Sequence, residues 1–300
     1  MGGSSQVPLA IRMQTWLEIV PALLKHLGIE HVHLMSHSAG TMYLMNTLYA
    51  RREALLDGKG TYVGIIAPWV HNDYSGVNMW NIVSKLPNGM LDSWNGIVKF
   101  INGKVAPSLA WSGGAISSVA GMFQSGAGEG NTSADSLVKL YGTNKEVANE
   151  IQRLQSKFYF AEDTTAGNED ARLCLKMGGT DLWGRCEDYS EFVRSLVNDE
   201  KKRKDANSNA PGLKVRVFYA ESDAMIGKGG QAYFEECWSQ DGVPGPIDYE
   251  GKELAGTDHD SAAVDAEKSA LPQIFEDIAA ISKSKSSATQ PSPEAQDATA

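Results

Sequence analysis

Cysteine is scarce in this chain. Cys174, Cys186 and Cys237 are the whole complement of its 300 residues. A sparse, odd set with no CxxC and no Cys/His spacing makes neither a disulfide framework nor a zinc site. Reduced, partly buried thiols are the expectation, with a Cys174–Cys186 pair as the alternative. Basic charge is short as well: 27 Lys and Arg face 37 Asp and Glu, a formal charge of −10. That balance argues against a nucleic-acid partner, whose phosphates would be repelled rather than neutralised. Long apolar runs are missing too. The least polar stretch, residues 107–123, is too short and too rich in Ser and Gly to span a bilayer. The opening residues Met1 to Gln6 have neither the basic start nor the apolar stretch of a signal peptide. Gln6 also stands where a myristoylation signal requires Ser or Thr. A soluble, cytoplasmic chain without a transmembrane segment is therefore expected. Its 42% hydrophobic content is enough for one large domain, or a domain with an insertion.

What is present centres on His31-Val32-His33-Leu34-Met35-Ser36-His37-Ser38-Ala39-Gly40-Thr41. An apolar, β-favouring run ends in small-x-Ser-x-Gly, and an apolar helical segment from Met42 to Tyr49 follows at once. This is the context of a nucleophile elbow: a sharp strand-to-helix turn lifts the serine oxygen above the sheet, and small flanking residues leave room for the strained backbone. The helix behind Ser38 would aim its N-terminal dipole and free N–H groups at the site of acyl transfer. Ser36 occupies the first small position, where glycine is more usual.

The surrounding pattern alternates helices and strands. Apolar residues Met13, Trp16, Leu17, Val20, Leu23, Leu24 and Leu27 make one helical face, with a kink expected at Pro21 and a stop at Gly28. Strands are expected at Val32 to Met35, Tyr62 to Ala67, Val215 to Ala220 and Ile247 to Leu254. Residues 1–70 then read as the N-terminal part of a core carrying the elbow, and 211–281 as its C-terminal part. Between them, 71–210 is too long for a loop and reads as an inserted, mostly helical cap. It holds Trp80, Trp94, Trp111 and Trp183, a Gly/Ser-rich passage and the block Phe158-Tyr159-Phe160. The tryptophans suit the cap's own core or an apolar pocket beneath it. Lys201-Lys202-Arg203-Lys204 reads as part of a solvated linker. The tail 282–300 has almost nothing to bury and is expected to be disordered.

A serine hydroxyl needs a base, and the base needs an orienting acid. Asp223, just past the strand ending at Ala220, is the favoured acid, with Glu221 and Asp73 as alternatives. His259, in Gly256-Thr257-Asp258-His259-Asp260 after the last strand, is the favoured base, and His71 competes. His31 and His33 share a strand face but lack a third ligand, so no metal is expected. Lys228-Gly229-Gly230 lacks the rest of a phosphate loop, and no cofactor is expected.

Together, Ser36 to Gly40, Tyr219 to Asp223 and Gly256 to Asp260 resemble the α/β-hydrolase superfamily of serine esterases and lipases, in its order of Ser, acid and His. The resemblance implies an α/β fold with a mainly parallel sheet of about four core strands and a helical cap. It implies Ser38 as nucleophile, Asp223 as acid, His259 as base and the Ala39 N–H as an oxyanion donor. The substrate implied is a small, apolar acyl or ester compound. One departure stands out: in that family several strands, and a loop supplying a second oxyanion donor, precede the elbow strand. Here only one helix's length of chain does, so reduced activity is expected. An exposed sheet edge at the elbow strand, open to self-association, is expected as well. The alternative is a catalytically silent protein of this fold that binds a ligand or a partner chain.

Overall fold

The computed structural model describes residues 5–55, 60–77, 138, 142–147, 150–151, 153–154, 165–208, 210, 212–240, 242–243, 245–265 and 267–283. Trp80, Trp94, Trp111, the Gly/Ser-rich passage, the aromatic block at 158–160 and the tail from 284 lie outside them. Four strands, β1 (Leu34–His37), β2 (Thr61–Ile66), β3 (Leu213–Ser222) and β4 (Ile247–Asp258), form one sheet. All neighbours are parallel, in the order β1-β2-β3-β4. Around them run α1 (Leu9–Leu27), α2 (Gly40–Ala50), α3 (Asn72–Ser75), α4 (Thr165–Cys174), α5 (Tyr189–Ala206), α6 (Gly227–Trp238), α7 (Ser261–Val264) and α8 (Leu271–Lys283). The class is α/β, as the alternation of helical and strand patterns implied.

A parallel sheet is buried on both faces, so its central strands must be apolar at every position rather than at alternate ones. All six residues of β2 are buried. Val63 and Ile65 join the larger core with Met42, Met45, Leu48, Trp183, Phe192 and Phe234. Tyr62 and Ile66 point the other way, into a smaller core with Phe218, Ala262 and Ile274. Gly64 belongs to that second face, where a Cβ would come within 3.0 Å of Ile274 Cδ1 from α8. Helices thus cover both faces, and the strand ends are left for the site.

Several boundaries differ from the sequence reading, each for a local reason. β1 begins at Leu34 rather than Val32, because the Tyr62 N–H donates to His33 Nδ1 at 3.1 Å where a ladder bond would otherwise start. His33 therefore lies outside the strand. α1 continues through Pro21 and ends at Gly28, in the left-handed region at φ 65°. The basic run Lys201 to Lys204 lies in the last turns of α5 and not in a linker. Cations there complement the C-terminal end of the helix dipole. Cys174, Cys186 and Cys237 are free and buried, so the alternative disulfide is not formed. No helix among the described residues is long and apolar enough to cross a membrane.

The two sheet edges are not alike. β4 carries Asp248, Glu250, Lys252 and Glu253, charges that resist strand addition. β1 carries no charged side chain, pairs only with β2 among the described residues, and leaves Met35 half exposed.

One buried ion pair ties the elements together away from the strand ends. Arg52 Nε lies 2.6 Å from Glu200 Oε1, and Arg52 Nη1 donates to Thr61 Oγ1 at 2.6 Å. The Glu200 side chain is 2% exposed. Glu200→Ala strands the guanidinium, and a stability loss of about 3–5 kcal/mol is expected from urea unfolding. A loss within experimental error would show that water already solvates Arg52.

Candidate active site

Ser38, Asp223 and His259 are each the first residue after a parallel strand, following β1, β3 and β4 in turn. Parallel strands end on the same side of the sheet, which is where α/β proteins place their ligands. Ser38 sits in the left-handed region at φ 54°. That conformation costs a non-glycine residue on the order of 1–3 kcal/mol and persists only where its surroundings hold it. They do so here through both ends of the peptide. The Ser38 N–H donates to Ile66 O at 3.0 Å, and its carbonyl accepts from Thr41 N at 2.9 Å, Thr41 Oγ1 at 2.7 Å and Trp69 N at 3.3 Å. The small residues on either side meet across the turn: a Cβ on Gly40 would lie 3.2 Å from Ser36 Cβ. A side chain at 40, or a larger one at 36, would force the turn open.

The three side chains form one hydrogen-bonded chain. His259 Nε2 is 2.8 Å from Ser38 Oγ, and His259 Nδ1 is 2.8 Å from Asp223 Oδ2. The second oxygen, Asp223 Oδ1, accepts from Met225 N at 2.9 Å and Ile226 N at 2.8 Å. A carboxylate that accepts on one oxygen from two amides is locked in rotation, so the other oxygen faces the imidazole. The tautomer that satisfies all partners donates from Nδ1 to Asp223 and accepts at Nε2 from the serine hydroxyl.

The alternative candidates are engaged elsewhere. Asp73 is exposed and lies 3.2 Å from His71 Nδ1, with His71 capping α3. Glu221 lies within β3 and accepts from the Gly256 N–H. Trp183 is buried in the larger core. The Ala39 N–H has no acceptor among the described residues.

No family model matches the chain. No curated protein sequence matches it either. Among solved structures, it is similar to a carboxylesterase from the ammonia-oxidizing thaumarchaeon Nitrososphaera gargenis. That likeness spans 91% of this chain and 73% of the other at 13% identity, with a TM-score of 0.40. A likeness so low carries no weight for the site, which stands on its own geometry.

Electrostatics sharpen that geometry. Burial pushes the Asp223 carboxyl up, but the hydrogen bond and charge of His259, with the Ile226 and Met225 amides, outweigh it and hold the carboxyl below its usual range. Burial likewise pushes His259 down, and here the bond and charge of Asp223, with Asp260 and Asp258, more than offset it, leaving the imidazole above its ordinary value. The signs give a window. His259 contributes stability that is complete below its unfolded value and lost as pH rises through the folded one. Asp223 contributes stability above its unfolded value, lost as pH falls through its depressed folded one.

Two residues of the site were not singled out from sequence. Thr41 braces the Ser38 carbonyl, and a Thr three positions into a helical turn is a recognisable back-bonding placement. His37 occupies the variable position of the small-x-Ser-x-Gly pattern, yet its Nε2 is 2.8 Å from the His259 carbonyl oxygen. His37, His259 and Asp260 could each turn one ligand atom toward a shared point. Both His259 ring nitrogens and His37 Nε2 have hydrogen-bond partners.

Proposed function

We propose that this chain is a serine hydrolase of the α/β-hydrolase kind, cleaving a small, apolar ester or related acyl substrate through Ser38, His259 and Asp223. The observation that supports this best is the hydrogen-bonded chain from Ser38 Oγ through His259 to Asp223, with both links at 2.8 Å. His259 Nε2 takes the Ser38 proton as Oγ attacks the acyl carbon, and Asp223 stabilises the imidazolium that forms. The carbonyl oxygen becomes an oxyanion, which the Ala39 N–H and the N-terminal end of α2 receive. His259 then gives its proton to the leaving group. Water repeats the sequence on the acyl-enzyme, with His259 again as base, and frees Ser38.

A fluorophosphonate probe tests the proposal directly. Labelling at Ser38 of folded protein supports it, and folded protein that stays unlabelled favours a silent, ligand-binding role. The pH profile is a second check. The base must be neutral, and His259 is held above its ordinary value of 6.5. Turnover of a p-nitrophenyl ester should therefore rise with pH to a plateau, with its midpoint above 6.5. A midpoint well below that would remove His259 from the role. Stability from the His259–Asp223 pair falls across the same interval in which activity rises.

A further inference from the structure

His37 is the residue before the proposed nucleophile, and its partner is the backbone of the proposed base. Its Nε2 lies 2.8 Å from the carbonyl oxygen of His259, 222 positions along the chain. A carbonyl only accepts, so the proton of this bond belongs to His37 Nε2, which leaves His37 Nδ1 bare. The two rings lie 4.9 Å apart at 46°.

The turn that carries His259 is also tied to β3, through Glu221 to the Gly256 N–H, the pairing of Ser222 with Asp258 and the Asp223 carboxylate, and by bonds within itself. Thr257 Oγ1 donates to Leu254 O at 2.7 Å, and Asp258 N donates to Ser261 Oγ at 2.7 Å. Ser261 N returns a bond to Asp258 Oδ1 at 2.9 Å, and Ala263 N donates to Asp260 O at 2.9 Å. None of these bonds reaches β1 itself. β1 and β4 are opposite edges of the described sheet, so no ladder bond joins them either.

From this arrangement we propose that His37 is a positioning residue, a strut from the nucleophile's strand to the base's loop that sets the Ser38–His259 separation. The inference rests on the hydrolase reading for its catalytic consequence. The strut works because it holds the main chain of His259 and leaves both ring nitrogens to Asp223 and Ser38. Its charged form is also disfavoured: burial and the facing His259 depress His37, against smaller opposing effects of the bond to His259 and of Asp260 and Asp223. A second positive charge beside the imidazolium is thereby avoided.

The test uses His37→Phe, which keeps a ring of similar size without the donor, and His37→Gln, whose amide can still reach the carbonyl. Readouts are the fluorophosphonate labelling rate, the thermal midpoint, and histidine imidazole NMR. The groups around His259 in that titration are Asp223, Asp258, Asp260 and His37. Expected for Phe is labelling about 10- to 100-fold slower at an unchanged melting temperature, because a small misplacement of the base costs that much. The His259 titration midpoint should also fall as its contact with Asp223 loosens, and Gln should restore most of the rate and the midpoint. Phe labelling at the wild-type rate, or folded Gln as slow as Phe, overturns the inference. The tautomer of wild-type His37 decides it even if Phe does not fold: protonation at Nε2 supports the strut, and protonation at Nδ1 ends it. Wild-type protein that is folded but unlabelled would refute the hydrolase reading instead. The His37 tautomer and the His259 midpoint would then still decide whether His37 positions that loop.

Discussion

Ser38→Ala removes all fluorophosphonate labelling and lowers p-nitrophenyl ester turnover by about 10⁴- to 10⁶-fold, the scale on which serine nucleophiles are lost. The melting temperature moves little. Among the described residues the hydroxyl makes one hydrogen bond, to His259 Nε2, and the turn is held by the main chain of Ser38 and by Thr41. Alanine inherits the same left-handed backbone with the same Cβ, so the strain at φ 54° is not relieved. Turnover that persists in a well-folded variant would take Ser38 out of the nucleophile's role. A collapse in melting temperature would instead mean that the hydroxyl is structural.

Asp223→Asn is the second large effect, and its chemistry follows from the two oxygens of the carboxylate. Oδ1 accepts from the Met225 and Ile226 amides, so the carbonyl oxygen of an asparagine would take that side. Its NH2 group would then face His259 Nδ1, which must become an acceptor. The ring proton moves to Nε2 and points at Ser38, where it cannot take up the hydroxyl proton. A drop of about 10⁴-fold in kcat is expected from the wrong tautomer, with near-native far-UV circular dichroism. The depressed Asp223 and raised His259 values both derive from this contact. The variant should therefore also lose the acid-side stability of the pair. Activity that survives Asp223→Asn but fails in Asp73→Asn would move the acid to Asp73, in α3 after β2.

Much of this arrangement was legible because its causes are local. The apolar run before Ser38, the small residues at 36 and 40, and the helix pattern from Met42 are all within one strand–turn–helix. Steric demand at that turn dictates residue size wherever it occurs in a protein. Asp223 and His259 were legible by position, each shortly after a segment that reads as a strand. Strand ends were less legible. β4 runs to Asp258, past the expected Leu254, because it pairs Ser222 with Asp258 after a register shift near Ala220. Gly256 and Thr257 look like loop residues, and nothing local reveals that a neighbouring strand continues alongside them. The basic run at Lys201 to Lys204 failed for the opposite reason. Its polarity resembles a linker, but exposure of one face is all that a surface helix requires.

By itself, then, the chain determined the α/β class, the strand–turn–helix around Ser38 and the order of candidate nucleophile, acid and base. These depend on side-chain period and backbone sterics over a few residues. Only the tertiary structure decided that His259 meets Asp223 rather than Asp73, that His71 caps a helix, and that His37 holds the His259 carbonyl. The two contacts to His259 join positions 36 and 222 residues apart. Their lengths are set by strand register and by the stacking of helices on two faces of the sheet. A hydrogen bond is made or lost within about half an ångström. Sequence spacing carries no information at that scale, whereas the packed sheet does.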